Sequence, residues 1–183
     1  TLLILYIVYE NHTRNKELLK YAQTDALTGL YNKETTEQLT DELLSEDENK
    51  YHAFLILDVD CFKQINDIYG HAVGDIVLQK FGKLLKGTFR EGDILGRIGG
   101  DEFGVIMKNI QTKDIAMKKA EELLAKTQAY KIDELKGNNI SISIGISTAP
   151  QDGDCYMDLY KRADQALYQA KRSGKARVCN YFS

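Results

Sequence analysis

The sequence predicts an α+β domain with a mixed central sheet flanked by helices. Three observations carry that expectation. Segments with apolar residues at helical spacing alternate with short apolar runs, as in a layered sheet-and-helix architecture. Two of the short runs, Asp93–Ile98 and Phe103–Lys108, are joined only by Gly99-Gly-Asp-Glu102, so they form a hairpin and the sheet cannot be all parallel. The run Ile140-Ser-Ile-Ser-Ile-Gly-Ile-Ser-Thr148 alternates strictly with period two, the pattern of a strand.

Each element has its own local cause. Residues 1–23 read as an N-terminal helix and residues 24–183 as one domain. The opening run Leu2–Tyr9 is apolar all round and is followed by His12, Arg14, Lys16 and Lys20. It reads as the inner end of a transmembrane helix under the positive-inside rule, or else as a signalling or coiled-coil stalk. Asn32 is placed to cap a helix running to Glu46, with Leu39 and Leu43 at helical spacing. Phe54–Asp60 is almost continuously apolar and reads as a strand buried on both faces. Helical spacing returns over Gly74–Phe89, through Ile76, Val77, Phe81, Leu84 and Leu85. It appears again over residues 113–130, and once more around Leu159, Ala163, Ala166, Leu167 and Ala170, where Gly174 supplies the stop. Arg177–Phe182 completes the set as a last strand.

Composition excludes several classes of function. The 24 basic and 27 acidic residues give a net charge of −3, which argues against a dedicated duplex-DNA binder and leaves room for a small phosphorylated ligand. The three cysteines, Cys61, Cys155 and Cys179, are widely spaced, so neither a disulfide framework nor a cysteine zinc site is expected. His12, His52 and His71 are too scattered for a zinc hydrolase.

The chemistry lies in the acidic residues. Asp58 and Asp60 end an apolar strand, and side chains at i and i+2 of a strand share a face. Charges there are costly to desolvate unless a cation or hydrogen-bond donors compensate them. The hairpin tip supplies a second pair, Asp101 and Glu102, and its two glycines admit positive φ and close approach to the main chain. If the strand end and the tip converge, their oxygens suit Mg²⁺ with bound phosphates. The stretch Cys61–Asp75 reads as a loop between strand and helix whose amides are placed to cradle phosphates. Lys63 adds a charge there, while Asn66 and Asp75 offer groups suited to a base edge. Taken one at a time, these residues have plain readings as turn residues or helix caps.

Together the motifs resemble the GGDEF domain, the diguanylate cyclase module of bacterial signalling. The resemblance rests on Asp25-Ala-Leu-Thr-Gly-Leu-Tyr-Asn32, Asp58-Val-Asp-Cys-Phe-Lys-Gln-Ile-Asn-Asp67, Gly70-His-Ala-Val-Gly-Asp75 and Gly99-Gly-Asp-Glu-Phe103. It continues through Ser143-Ile-Gly-Ile146 and Arg162-Ala-Asp-Gln-Ala-Leu-Tyr-Gln-Ala-Lys171, spanning about residues 24–181 in order. It implies a fold similar to the palm of nucleotidyl cyclases.

It also implies a site. Asp58, Asp101 and the Val59 carbonyl would hold two Mg²⁺ ions, or Mn²⁺ in their place. Asn66 and Asp75 would read guanine, and Lys63 and Lys161 would contact phosphate together with the amides of Phe62 and Lys63. Asp101 would help deprotonate a ribose 3′-OH, Glu102 belongs to the same catalytic motif, and His71 would pack under the nucleotide loop. Two GTP molecules on facing monomers of a homodimer would give cyclic di-GMP and two pyrophosphates. Asp at position 75 favours GTP on both sides. Arg90-Glu-Gly-Asp93 is an RxxD at the spacing of the family's product-inhibition site for cyclic di-GMP, although an RxxD without that context reads as a surface ion pair. The second basic residue usual after Lys161 is missing, since position 165 is Gln165. An upstream sensory or transmembrane region and the cytoplasmic face of the bacterial inner membrane complete the expectation. The rival reading is a related module that binds GTP or cyclic di-GMP and makes nothing.

Overall fold

The structure, a computed structural model, describes Glu10, Arg14 and residues 21–46 and 50–181. The expectation about residues 1–9, membrane end or coiled stalk, lies outside the described residues. Among those described, no helix is long and apolar enough to cross a membrane. Glu10, Arg14 and residues 21–23 are helical.

The chain forms α1 (Lys33–Glu46), β1 (His52–Val59), α2 (Phe62–Tyr69), α3 (His71–Thr88), β2 (Ile94–Arg97), β3 (Glu102–Met107), α4 (Lys113–Ala129), a 3-10 turn at Asp133–Leu135, β4 (Ile142–Ala149), α5 (Tyr156–Arg172) and β5 (Val178–Asn180). The five strands make one sheet in the order β2-β3-β1-β4-β5. β1 is antiparallel to both neighbours, the β2–β3 hairpin is antiparallel, and β5 runs parallel to β4, so the sheet is mixed as expected. Asn32 does cap α1, its Oδ1 accepting from the Thr35 amide at 2.9 Å.

Parity along β1 decides what faces what. Ala53, Leu55, Leu57 and Val59 join α3 and α4 in the larger core, with Val77, Phe81, Ala120 and Leu123. Phe54 and Ile56 point the other way, toward Tyr156, Leu159, Ala163 and Leu167 of α5 and Leu44 of α1. Both faces are therefore dry, and all eight residues of β1 are buried. Asp58 falls in the even series, which directs it toward α5.

β4 shows why its clean alternation is not an alternation of core with solvent. All eight of its residues are buried. Ile142, Ile144 and Ile146 enter the larger core. The small residues between them let α5 come close: Ser147 Oγ donates to the Leu159 carbonyl at 2.8 Å, and a β-carbon on Gly145 would lie 2.1 Å from the Ala163 carbonyl oxygen.

One element differs from expectation. Residues 62–69 are helix α2 rather than loop, and α3 begins at His71 rather than Gly74. Phe62, Ile65 and Tyr69, at i, i+3 and i+7, pack together against the larger core. Gly70, at φ 85°, breaks the two helices apart with a backbone that L residues rarely adopt.

Candidate active site

The site lies where β1 ends beside the β2–β3 hairpin tip. Antiparallel register sets Asp58 opposite Glu102, and the Val59 amide donates to the Asp101 carbonyl at 3.3 Å. One strand end and one turn tip thus bring Asp58, Asp101 and Glu102 to neighbouring positions at one end of the sheet, although their carboxylate oxygens do not all lie within 4.8 Å of one another.

The tip is held from behind by Arg97. Its Nε and Nη2 donate to the Gly100 carbonyl at 3.1 and 2.7 Å, and its Nη1 lies 3.2 and 3.1 Å from the two carboxylate oxygens of Asp25. Burial works to raise the Asp25 carboxyl, but the Thr28 hydroxyl and amide together with Arg97 outweigh it and hold the group below the ordinary carboxylate value. Neither Gly99 nor Gly100 adopts the positive φ expected of them. Gly99 serves instead for close approach, since a β-carbon there would sit 2.9 Å from Glu102 Oε2. At Gly100 a β-carbon would meet no atom of the described residues within 4 Å.

Asp58 and Asp60 have different fates. Asp60 lies just past β1 and accepts from Ser141 Oγ at 2.8 Å, Ser143 Oγ at 2.7 Å and the Ala176 amide at 3.1 Å. Its lone pairs serve the fold, tying the segment after α5 to the sheet. Asp58 instead faces Lys171 of α5, whose Nζ lies 2.7 Å from Oδ2. Burial pushes the Asp58 carboxyl up, Lys171 opposes this, and the charges of Asp101 and Asp60 add to the rise. Glu102 is also raised, by burial and then by Asp58, with Lys171 pulling the other way. Asp58 thus raises Glu102 while Lys171 opposes the rise in both, and their hard oxygens are of the kind a divalent cation takes.

The expected nucleotide-binding residues are distributed along α2, α3 and α5. Phe62 and Lys63 open α2, and Lys63 is exposed. Asn66 is half-buried on α2, and Asp75 is exposed on α3. His71, expected to pack under the loop, is exposed at the first position of α3. Lys161 is exposed near the start of α5. It lies ten residues before Lys171, about 15 Å along the helix axis, so the lysine set against the carboxylates is Lys171. The signal for it was present in the sequence, as the last residue of the run Arg162–Lys171.

Arg90 and Asp93 sit at the far end of β2. Asp93, whose side chain is 2% exposed, accepts from Arg90 Nε at 3.0 Å and from the Lys108 amide at 3.1 Å. Arg90 also donates through Nη2 to the Lys108 carbonyl. Its side chain is 60% exposed. Both residues border a cavity of about 500 Å³ that Phe89, Met107, Ile115 and Lys119 also line.

The domain is a five-stranded mixed sheet flanked by helices, with carboxylates at a hairpin tip, and comparison with known proteins specifies its family. The model of the diguanylate cyclase GGDEF domain matches residues 22–177, and the chain belongs to that family. Diguanylate cyclase A of Treponema denticola is 37% identical over 90% of this chain and 46% of its own length. The response regulator PleD of Caulobacter vibrioides is 37% identical over 93% of this chain and 39% of its own. An uncharacterized Bacillus subtilis protein, YhcK, is 38% identical over 97% and 52% respectively. The chain therefore spans about half or less of these relatives. Among solved structures, the coiled coil and GGDEF domain of DgcB from Caulobacter crescentus, in complex with c-di-GMP, superposes with a TM-score of 0.87 at 25% identity, covering 96% of this chain and 94% of that one. The GGDEF domain of TpbB from Pseudomonas aeruginosa gives 0.82 at 33% identity, covering 87% and 94%.

Proposed function

We propose that the chain is a diguanylate cyclase, condensing two GTP molecules into cyclic di-GMP and two pyrophosphates across a homodimer. The observation that carries this reading is the meeting of Asp58 with Asp101 and Glu102 beside Lys171. A silent binding module would have no need of three carboxylates brought together in a half-buried place beside one ammonium.

The residue roles follow the resemblance to the family. Asp58, Asp101 and the Val59 carbonyl would hold Mg²⁺, which when bound offsets phosphate charge and acidifies a coordinated hydroxyl. Asp101, on a tip that Arg97 holds through the Gly100 carbonyl, accepts the proton of the ribose 3′-OH. The freed oxygen attacks the α-phosphorus of the GTP on the facing monomer, and the bond from that phosphorus to the bridging oxygen breaks, releasing pyrophosphate. A second such step closes the ring. Lys171 neutralises the triphosphate, with Lys63 and the amides of Phe62 and Lys63 at the start of α2, while Asn66 and Asp75 read guanine. Lys161 keeps a phosphate role only toward a group well away from Asp58. Two sites facing each other make the rate depend on dimer geometry, since orientation supplies much of the catalysis.

Arg90 is the gripping member of the inhibitory pair, because Asp93 already spends its oxygens on Arg90 and the Lys108 amide. Cyclic di-GMP bound there would draw the exposed guanidinium onto a phosphate or a guanine edge.

The test is incubation of the purified, dimeric protein with GTP and Mg²⁺, with chromatographic separation of the products. Cyclic di-GMP and pyrophosphate are expected in a ratio of one to two. GTP binding without any cyclic dinucleotide from a demonstrably dimeric sample would establish the binding-module reading instead.

A further inference from the structure

We propose that Gly74 is a positioning residue for Asn66: the β-carbon missing at position 74 is the space in which the Asn66 carboxamide is held beside Asp75. The inference rests on the reading of this region as a guanine site and adds to it the group that fixes the geometry.

Gly74 lies in the first turn of α3 and is buried. Its backbone is ordinary helix, with no positive φ, unlike that of Gly70 four residues earlier. Glycine is a poor helix former, and alanine would serve this backbone better. What requires glycine here is space. A β-carbon at 74 would lie 1.9 Å from Asn66 Oδ1, 3.0 Å from its Cγ and 3.2 Å from Phe62 Cζ. Non-bonded carbon contacts settle near 3.5–4.0 Å, so the carboxamide would have to leave.

The amide is held there by shape rather than by a bond. Asn66 Oδ1 is fully buried and has no hydrogen-bond partner among the described residues, an unfavourable state for a carbonyl oxygen. Turning the amide over would place its amino group in the same slot. In either assignment α3 covers one edge of the amide and leaves the opposite edge as the one a ligand can reach. The Asn66 carbonyl is itself tied to the Gly70 amide at 2.9 Å, which fixes the backbone from which the side chain springs. Asp75 follows Gly74 directly, so one turn of α3 both walls in the amide and carries the second base-reading group.

The experiment titrates the protein with GDP, which carries the base and cannot be condensed, using ADP as the base control. Asn66→Ala is expected to weaken GDP binding about tenfold, the effect of one lost hydrogen bond, and Gly74→Ala to weaken it comparably while ADP binding is unchanged. The double variant N66A/G74A is expected to bind GDP within about twofold of N66A alone, because both changes remove the same contact. It should also melt at or above N66A, since alanine then sits in a helix with the obstructing amide gone. Wild-type GDP affinity in G74A, beside a weakened N66A, would overturn the positioning role. So would a double variant about a hundredfold weaker than wild type, or one that fails to fold. An N66A variant that binds GDP like the wild type would instead overturn the guanine reading of Asn66 itself.

Discussion

Replacing Glu102 by Gln should stabilise the metal-free protein while damaging its activity. Glu102 stands directly across from Asp58 in the β1–β3 register. Its carboxyl is raised by burial, then by Asp58, then by Asp101, with Lys171 in partial opposition. Like charges directly opposite in a sheet cost roughly 0.2–1 kcal/mol. Gln is nearly isosteric and removes that repulsion without breaking the 2.7 Å contact between Lys171 and Asp58. For a domain of this size, 1 kcal/mol moves the melting temperature by about 2–4 °C, so an increase of about 1–3 °C is expected near neutral pH and low salt. The sign of the pH dependence follows from linkage. A carboxyl raised in the folded state adds stability that is fully present below its ordinary value and is lost as pH rises through the raised value. The advantage of the variant should therefore be absent in acid and grow as pH rises past the ordinary value for Glu. Thermal unfolding of both proteins across pH, with metal removed, measures it. A melting temperature that does not rise, or a difference that ignores pH, would refute the picture of opposed carboxylates.

Three further perturbations test the frame around the site. Arg97→Ala frees the Gly100 carbonyl and leaves Asp25 without its guanidinium; these side chains are 16% and 23% exposed, so a loss of about 1.5–3 kcal/mol is expected. In the wild type, the stability that Asp25 contributes is present above the ordinary Asp value and vanishes as pH falls through the lowered one, so the difference between the two proteins should shrink in strong acid. Gly145→Ala puts a methyl group 2.1 Å from the Ala163 carbonyl oxygen and 2.4 Å from the Leu167 nitrogen. Because both are backbone atoms of α5, the helix must shift, at a cost of about 3 kcal/mol or more, and Lys171 must move with it; unchanged thermal unfolding would contradict the close packing described. Arg90→Ala should raise the plateau of cyclic di-GMP in an endpoint assay while leaving the initial rate near that of the wild type, and an unaltered plateau would remove the inhibitory role.

Much of the fold was legible because its signals are local. Period two in β4, Asn32 as a cap and the glycine-linked hairpin each need only a few consecutive residues. Asp58 stood out as a carboxylate ending an apolar run, and Asp101 and Glu102 as a pair on a glycine-led hairpin tip. What escaped depends on contacts between distant segments. Two lysines ten residues apart on one helix look alike in sequence, and only the register of α5 against the end of β1 brings Lys171 rather than Lys161 to Asp58. Asp60 looked like the twin of Asp58, yet Ser141, Ser143 and Ala176 claim it from more than eighty residues away. The eight residues of α2 are too few for periodicity to separate a helix from a loop, and their helical state depends on packing against the larger core. Gly99 suggested backbone freedom, whereas it makes room for a neighbouring side chain, as Gly74 does inside a helix.

The most direct measurement is GTP binding and turnover, with and without Mg²⁺, by the wild type and by Asp101→Asn and Asp58→Asn proteins whose melting shows them folded. Magnesium should tighten GTP binding to the wild type, that gain should be largely absent in both variants, and neither should form cyclic di-GMP. Variants that still produce the cyclic dinucleotide at the wild-type rate would show that the oxygens at these two positions do not carry the reaction.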